Sequence, residues 1–400
     1  MNRQPFQIPP QAWDPKLAPW LVRLWRPMRR RTLRHTQRLT PIEVRGAEPV
    51  RKALDEGAGV LITPNHSFHY DSYVLMEAAE QLGRPPHVMA AWQVFAQGGR
   101  LQSWVMQKHG CFSIDREGSD MRAFRLAVEL LKDSPHPLVI FPEGEIYHTN
   151  DRVTPFREGA AAIALAAAKK ATRRIVCVPC ALKCWYTTDP TPSLLDLMER
   201  LERRLLLRPQ ADRPLAERVY RFAEAILSLK ELEYLGHPQS GTLPERIARM
   251  KEAILTRLEQ RYGLAAGAGT VPERIKEVRR RIIKRQEQAD LTDADRKQLV
   301  DDLEDVFGVV QLFSYPGNYV AERPSIERLA ETLDKFEEDV LGEDLPAIRG
   351  TRRVVVSFGE PVEVPRERGR KDAVAYWTDD LENRVQALLD GLNAEQNAHS

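Results

Sequence analysis

The chain has 400 residues, of which 42% are hydrophobic and 29% are charged, which excludes a disordered protein and allows several domains or one core with a large insertion. The net charge of +2 excludes an overall attraction to nucleic acid, so any such binding must come from local clusters. The N-terminus lacks the apolar stretch of a signal peptide, and the longest apolar run near the middle, 159–168, is far below the roughly 20 residues of a membrane-spanning helix. We interpret that run as a buried, alanine-rich core helix.

Residues 17–34 have the periodicity of an amphipathic helix, which Pro27 is expected to kink. Its apolar stripe consists of Leu17, Trp20, Leu21, Leu24, Trp25 and Met28. Its opposite face carries Arg23, Arg26, Arg29, Arg30 and Arg34. This combination suits a helix that lies in a membrane surface, so we expect peripheral membrane association through 17–34. The alternative is a helix that packs its stripe against the domain and leaves its arginines in water.

Short apolar strands alternate with helical stretches from residue 42 to about 186. The predicted strands are Ile42–Arg45, Val60–Thr63, His87–Ala91, Leu138–Phe141 and Ile175–Leu182. The predicted helices are Val50–Glu56, Ser72–Leu82, Gln102–His109, Asp120–Leu131 and Gly159–Ala171. This alternation predicts an α/β fold with a mixed, mostly parallel central sheet flanked by helices. Ligands of such sheets bind where strand ends meet loops.

The four cysteines, Cys111, Cys177, Cys180 and Cys184, indicate reduced thiols and a cytoplasmic protein. Three of them form Cys-x2-Cys-x3-Cys, which can also be read as a metal site. The surrounding segment has the composition of a buried strand, in which Cys177 and Cys180 would point to opposite faces, and no fourth ligand is nearby. We therefore expect neither a metal nor a bound cofactor.

The composition changes after residue 190, where charge-rich helical patterns begin and continue to about residue 345. Strand character returns at Arg352–Ser357, and a last amphipathic helix covers about Ala373–Leu392. We predict four parts: an N-terminal basic segment, 1–45; an α/β core, 46–190; a large all-helical insertion, 191–349; and the closing strand and C-terminal helix of the core, 350–400.

Two features stand out within the helical insertion. Segments 243–255 and 271–283 are similar, and each begins with a proline in its first helical turn, which hints at a local duplication. The basic cluster at 279–285 could contact phosphates of nucleic acid or lipid. A solvated helix face with acidic neighbours is the commoner explanation for such a cluster.

The clearest chemistry lies in segment 61–72, where an apolar strand ends shortly before a helix. His66 follows the strand, and Asp71 comes five residues later. A histidine held by a nearby carboxylate is equipped to take a proton from a hydroxyl. A helix N-cap is the alternative role for Asp71. His69 suggests a metal pair with His66, but no third ligand is evident.

Three further clusters follow this segment in order: Gly110–Arg116, Phe141–Gly144 and Val178–Pro179. Together with Asn65–Asp71 they resemble the four blocks of the glycerolipid acyltransferase family, which includes glycerol-3-phosphate and lysophosphatidic acid acyltransferases. The run 154–160 and the ending 356–364 also resemble that family. The resemblance covers about 46–186 and 352–364, and it leaves out the N-terminal helix and the helical insertion.

The resemblance implies transfer of a fatty acyl group from acyl-CoA or acyl carrier protein to a hydroxyl of a glycerol-phosphate or lysolipid acceptor. His66 would be the general base, and Asp71 would fix its tautomer and stabilise the imidazolium. No serine or cysteine nucleophile is needed, because the acceptor hydroxyl attacks directly.

The other motif residues are expected to bind substrate. Arg116 and Arg157 could each hold a phosphate, since a guanidinium matches two phosphate oxygens. Glu143 could accept a hydrogen bond from the acceptor hydroxyl, and Gly144 would let the backbone approach the substrate. A structural salt bridge between Arg116 and Glu143 is the alternative for that pair.

The chain departs from the family pattern beside these residues. The third block of the family usually continues with threonine and arginine, where this chain has Glu145, Ile146 and Tyr147. The segment before the second block often carries a lysine, which is absent from AAWQVF at 90–95. A phosphate-binding arginine is therefore missing and a carboxylate stands beside the site, so we expect phosphate monoesters to be poorer acceptors than zwitterionic or amine-bearing lysolipids.

The sequence thus predicts a peripheral membrane acyltransferase that does not bind nucleic acid. A catalytically silent membrane or lipid adaptor of the same fold is the second hypothesis, and nucleic-acid binding through 279–285 is the third. Turnover of a thioester with candidate lysolipids separates the first two, and a salt-dependent binding slope would be the signature of the third.

Overall fold

The computed structural model describes residues 10–116, 120–288, 290–367 and 369–399. Two compact units are present. Thr191–Pro346 belongs to a helical unit, and the described residues up to Pro190 join the chain from Ala347 onward in an α/β unit. The part of the predicted N-terminal segment before residue 10 lies outside the described residues.

The α/β unit contains the strands and the helices that surround them. In chain order, its first elements are α1 (Pro19–Leu24), α2 (Arg26–Arg31), β1 (Leu39–Arg45), α3 (Ala47–Asp55), β2 (Gly59–Pro64), α4 (Asp71–Ala78), β3 (His87–Ala91), α5 (Trp92–Gln97), α6 (Gly99–Lys108), β4 (Cys111–Ile114), α7 (Met121–Asp133), β5 (Leu138–Val139), α8 (Gly159–Lys170) and β6 (Ile175–Tyr186). The helical unit follows with α9 (Thr191–Arg204), α10 (Leu215–Leu235), α11 (Leu243–Arg261), α12 (Val271–Gln286), α13 (Asp293–Phe313), α14 (Tyr319–Glu322) and α15 (Ile326–Phe336). The chain then returns to the α/β unit with β7 (Arg352–Phe358), β8 (Val362–Glu363) and α16 (Ala373–His399).

The mixed, mostly parallel sheet predicted from the sequence is confirmed. Within the described residues it has eight strands, in the order β1-β7-β6-β2-β5-β3-β4, with β8 also paired to β6. Strands β2 to β6 run parallel to one another, whereas β7 is antiparallel to β6 and parallel to β1. The predicted closing strand, β7, therefore lies inside the sheet. Edge strand β4, at Cys111–Ile114, was not among the predicted strands.

Each face of the sheet is covered by a separate hydrophobic core. One core contains Val176, Val178 and Cys180 of β6 with residues of α3 and α4, and the other contains Ile175 and Cys177 with residues of α7, α8 and α16. The prediction that Cys177 and Cys180 point to opposite faces is confirmed, so these two thiols do not converge on one ion. The alanines of α8 are mostly buried, which confirms the predicted core helix.

The helix predicted over 17–34 is interrupted in the structure, close to the position where a kink at Pro27 was expected. The chain forms two short helices that are separated at Trp25, and a π-helical turn, Thr32–Thr36, follows them. The separation lies just before Pro27, where a proline ring would clash with a preceding carbonyl and prevent a continuous helix. Leu21 is buried, but Trp20, Leu24 and Met28 of the predicted stripe remain 67%, 65% and 55% exposed.

Part of the predicted basic face is neutralised by carboxylates of α4 and of the turn that follows it. Arg29 is buried and lies 3.1 Å from a Glu77 oxygen and 2.8 Å from a Glu80 oxygen. Arg30 also pairs with Glu77, at 2.5 Å. Arg23 is exposed, but because Arg29 and Arg30 are paired, the net positive charge that faces water is smaller than the sequence suggests. Within the described residues, no helix is both long enough and apolar enough to cross a bilayer.

A buried arginine–glutamate pair recurs along the helical unit. Arg218 lies 2.7 Å from Glu202, Arg246 lies 2.7 Å from Glu231, and Arg274 lies 2.7 Å from Glu259. The three arginines are spaced by 28 residues, which is also the spacing of the two similar segments noted in the sequence. The duplication signal therefore extends to a third position, at Arg218. A buried charge of this kind is tolerated because its partner is close and well oriented.

The basic cluster at 279–285 has acidic neighbours. Arg279 is buried, Arg280 and Arg281 lie 2.7 Å and 3.2 Å from Glu277, and Arg285 lies 3.5 Å from Asp290. These carboxylates compensate part of the positive charge, which agrees with the solvated helix face given above as the commoner explanation.

Candidate active site

Parallel strand ends bring the predicted site residues to one edge of the sheet. His66 follows β2, Glu143 follows β5, and Arg116 follows β4. Strand β5 ends at Val139, two residues earlier than predicted, although the Ile140 amide still donates to Ile62 of β2 at 3.1 Å. Since β2 and β5 are parallel neighbours, their carboxyl ends open at the same edge and the loops that follow them meet.

The His66 ring is held by the carboxylate of Asp71. Its Nδ1 lies 3.0 Å from Asp71 Oδ2, and the same oxygen accepts from the backbone amides of Ser67 at 2.7 Å and Phe68 at 2.9 Å. Asp71 is the first residue of α4 and is buried, and Tyr70 occupies the N-cap position instead. The helix N-cap alternative for Asp71 is therefore wrong. A carboxylate at Nδ1 favours the tautomer with a proton on Nδ1, which leaves the lone pair on Nε2.

The ring of Phe141 packs against the His66 ring from the neighbouring strand end. The two ring centroids are 4.1 Å apart with an interplanar angle of 27°. The imidazole is therefore fixed by a hydrogen bond at one nitrogen and by stacking on one face. Its side chain keeps 18% of its surface exposed.

Both side-chain oxygens of Glu143 accept hydrogen bonds from backbone amides. One accepts from the His66 amide at 2.7 Å, and the other accepts from the Thr154 amide at 3.0 Å. Burial raises the pKa of Glu143 to about 8, against the opposing effect of these two amide donors. The side chain ties the His66 loop to the segment after the FPEG turn, which is a different environment from the substrate-facing position expected from the sequence.

Gly144 has a left-handed backbone conformation that favours glycine, and it lies close to Arg157. Its φ is +78°, and a Cβ there would lie 2.6–2.9 Å from the side chain of Arg157. The Arg157 amide donates to the Pro142 carbonyl at 2.8 Å, which fixes that arginine beside the turn. Arg157 also forms a hydrogen bond with Tyr147, whose pKa is raised to about 12, mainly by burial. Gly144 therefore makes room for the guanidinium of Arg157.

Arg116 pairs with Glu145. Arg116 Nη1 lies 2.8 Å from Glu145 Oε1 and donates to the Gly144 carbonyl at 2.5 Å. Glu143 makes the backbone contacts described above instead, so a structural salt bridge between Arg116 and Glu143 is not the arrangement in the protein. The six predicted site residues thus form two neighbouring groups, with His66, Asp71 and Glu143 in one and Arg116, Gly144 and Arg157 in the other.

Two asparagines that the sequence analysis did not single out support the site. The Asn65 amide donates to the Leu182 carbonyl at 3.0 Å, and its oxygen accepts from the Leu182 amide at 2.7 Å. Asn150 makes the same pair of bonds with Cys184, at 2.7 Å and 2.9 Å. Strand β2 pairs with β6 only as far as Cys180, and these side chains continue the pairing beyond it. The position of Asn65 directly before His66 is the sequence feature that could have identified it as a site residue.

Comparison with known proteins agrees with this arrangement. Residues 41–183 match the family model described as Acyltransferase, and the match contains β2, β5 and the loops that carry the six site residues. No curated protein matches the chain at a significant level. Residues 41–183 are therefore a domain of the acyltransferase family that contains the glycerolipid acyltransferases.

Proposed function

We propose that the protein transfers a fatty acyl group from acyl-CoA or acyl carrier protein to a hydroxyl of a glycerol-phosphate or lysolipid acceptor, with His66 as general base. The observation that carries the proposal is the His66–Asp71 pair at the carboxyl edge of a parallel sheet. The match of residues 41–183 to the acyltransferase family supports acyl transfer in general. The donor, the acceptor and the role of His66 belong to the proposal.

The proposed step needs no covalent enzyme intermediate. The acceptor oxygen attacks the thioester carbonyl carbon while His66 Nε2 takes the hydroxyl proton. Asp71 stabilises the imidazolium that forms, because its carboxylate already faces Nδ1 at 3.0 Å. When the tetrahedral intermediate collapses, the C–S bond breaks and the imidazolium returns the proton to the leaving thiolate.

Glu143 has a positioning role in this proposal. Its carboxyl group accepts a hydrogen bond from the backbone amide of His66 at 2.7 Å, while Phe141 packs on the ring and Asp71 holds Nδ1. Three contacts from three directions limit the movement of the imidazole, which is what a base needs in order to meet a hydroxyl in a reactive geometry. We therefore assign Glu143 to the support of the base rather than to direct contact with the acceptor hydroxyl.

The test is a screen of lipid products by mass spectrometry after the protein is supplied with acyl thioesters and a panel of lysolipids and glycerol phosphates. His66→Ala should lower turnover on the order of 10²–10⁴-fold and leave the fold intact. Unchanged turnover in folded His66→Ala would refute the assignment of the base. A catalytically silent adaptor would give no acyl product from any acceptor and would still bind lipid.

Peripheral membrane contact is the second part of the proposal. The exposed apolar side chains Trp20, Leu24 and Met28 lie four residues apart on successive turns, and Arg23 beside them is exposed. Tryptophan and aliphatic side chains next to a basic residue suit the interface of an anionic bilayer. A membrane surface would also supply a lysolipid acceptor directly to the site.

A further inference from the structure

The ion pair between Arg116 and Glu145 limits which substrates Arg116 can bind. The two side chains are only 17% and 16% exposed, and their charged atoms are 2.8 Å apart. Arg116 Nη1 also donates to the carbonyl of Gly144 at 2.5 Å. The protein itself thus supplies an anion and a carbonyl to a guanidinium that would otherwise bind anionic groups of a substrate.

The pair is connected to the proposed base by a short stretch of chain. Glu143 holds the amide of His66, and the next two residues, Gly144 and Glu145, supply both contacts of Arg116 described above. A substrate whose hydroxyl reaches His66 therefore has its neighbouring groups close to the turn that carries Glu145. Partial burial weakens the screening of the pair by water, so the carboxylate competes effectively with any other anion.

We propose that Glu145 is a specificity-determining residue that neutralises Arg116 and disfavours acceptors with a phosphate monoester at this position. A phosphate that approaches Arg116 must displace the carboxylate or lie beside it, and both choices cost binding free energy. Acceptors with a neutral or cationic group at this position avoid that cost. The inference rests on the proposed acyl transfer and names the class of acceptor that the site favours.

The test compares wild type with Glu145→Gln, which keeps the side-chain shape and removes the charge. The expected result is a gain of about 10–100-fold in kcat/KM for lysophosphatidate, with less than a threefold change for monoacylglycerol. Glu129→Gln, at an exposed position on α7, removes the same charge from the same unit and should change neither value. Adding Arg116→Gln to Glu145→Gln should abolish the gain.

A binding measurement makes the inference independent of turnover. Glycerol 3-phosphate should bind Glu145→Gln about tenfold or more tightly than wild type in isothermal titration calorimetry. Equal affinity of the two proteins, or a wild type that already prefers lysophosphatidate and gains nothing from the substitution, would overturn the inference. A protein that acylates no acceptor would refute the proposed function, and calorimetry would still decide whether Glu145 blocks the anion site.

Discussion

Replacement of Asp71 by asparagine tests the proposed base without removing it. Asp71 Oδ2 faces three donors, which are His66 Nδ1 and the amides of Ser67 and Phe68. The two amides force an asparagine to place its oxygen where Oδ2 lies, because the NH₂ group in that position would face backbone donors. The loop should therefore keep its conformation, and the main change is loss of the negative charge beside the imidazole.

The size of the effect follows from these contacts. A hydrogen bond to a charged partner contributes roughly 1.5–3 kcal/mol, so loss of the charge next to the imidazolium should lower kcat by about 10–200-fold. The loss will be greater if the imidazole changes its tautomer. The backbone amides still reach a neutral oxygen, so the free energy of unfolding should fall by only about 1–2 kcal/mol.

The assay is a double-mutant cycle on kcat with Asp71→Asn, His66→Ala and the two changes together. If Asp71 acts through His66, its substitution should add almost nothing once His66 is gone. Asp55→Asn, at an exposed position on α3, is the matched control for the chemical change. A folded Asp71→Asn enzyme with wild-type kcat, or an equal loss in the His66→Ala background, would show that the reasoning is wrong.

Three further predictions concern pH, buried charge and membranes. The pKa of Glu143 is raised to about 8, so the folded protein keeps a proton that the unfolded chain loses near pH 4.5. The free energy of unfolding should therefore fall as the pH rises from about 4.5 to about 8, by up to about 1.4 kcal/mol per pH unit. Urea unfolding of wild type and Glu143→Gln from pH 5 to 8 should show a difference that follows this slope; parallel profiles would contradict it. Arg246→Met leaves Glu231 buried without its arginine and should cost about 3–5 kcal/mol in urea unfolding, whereas Arg280→Met at an exposed pair should have a much smaller effect, and similar losses would count against the difference in burial. Changing Trp20, Leu24 and Met28 to serine should release the protein from anionic vesicles in flotation, whereas the Leu229→Ser, Leu232→Ser control on α10 should float like wild type; flotation of both proteins would refute the membrane contact.

Local patterns were enough to predict most of the sheet. Strand β3 begins and ends where the sequence predicts, and β2 is only one residue longer at each end, because both are apolar runs with clear boundaries. Strand β4 was not predicted because it has only four residues and lies at an edge of the sheet. Such a segment is too short to show a clear hydrophobic pattern. The N-terminal helix was predicted too long, since periodicity alone does not show that Trp25 ends one helix and begins the next.

The contact between His66 and Asp71 was predictable because the two residues are close in sequence, between the end of β2 and the start of α4. The position of Glu143 was not, because a carboxylate after a strand can face either a substrate or the backbone of a neighbouring loop. The choice depends on the pairing of β2 with β5, which brings the His66 amide to one side-chain oxygen, and on the later segment that brings the Thr154 amide to the other. Such a role follows from tertiary contacts and leaves no local pattern in the sequence.

The contact between Arg116 and Glu145 also could not be predicted from local sequence. Each residue was identified from the sequence, one as a candidate phosphate holder and the other as a carboxylate in an unexpected place. Their functions were treated as separate, although a distance of 2.8 Å makes them one electrostatic unit. An arginine attracts a phosphate in proportion to the charge that remains uncompensated around it. The capacity of this site for anions is therefore a property of the pair, and counting arginines in the sequence overestimates it.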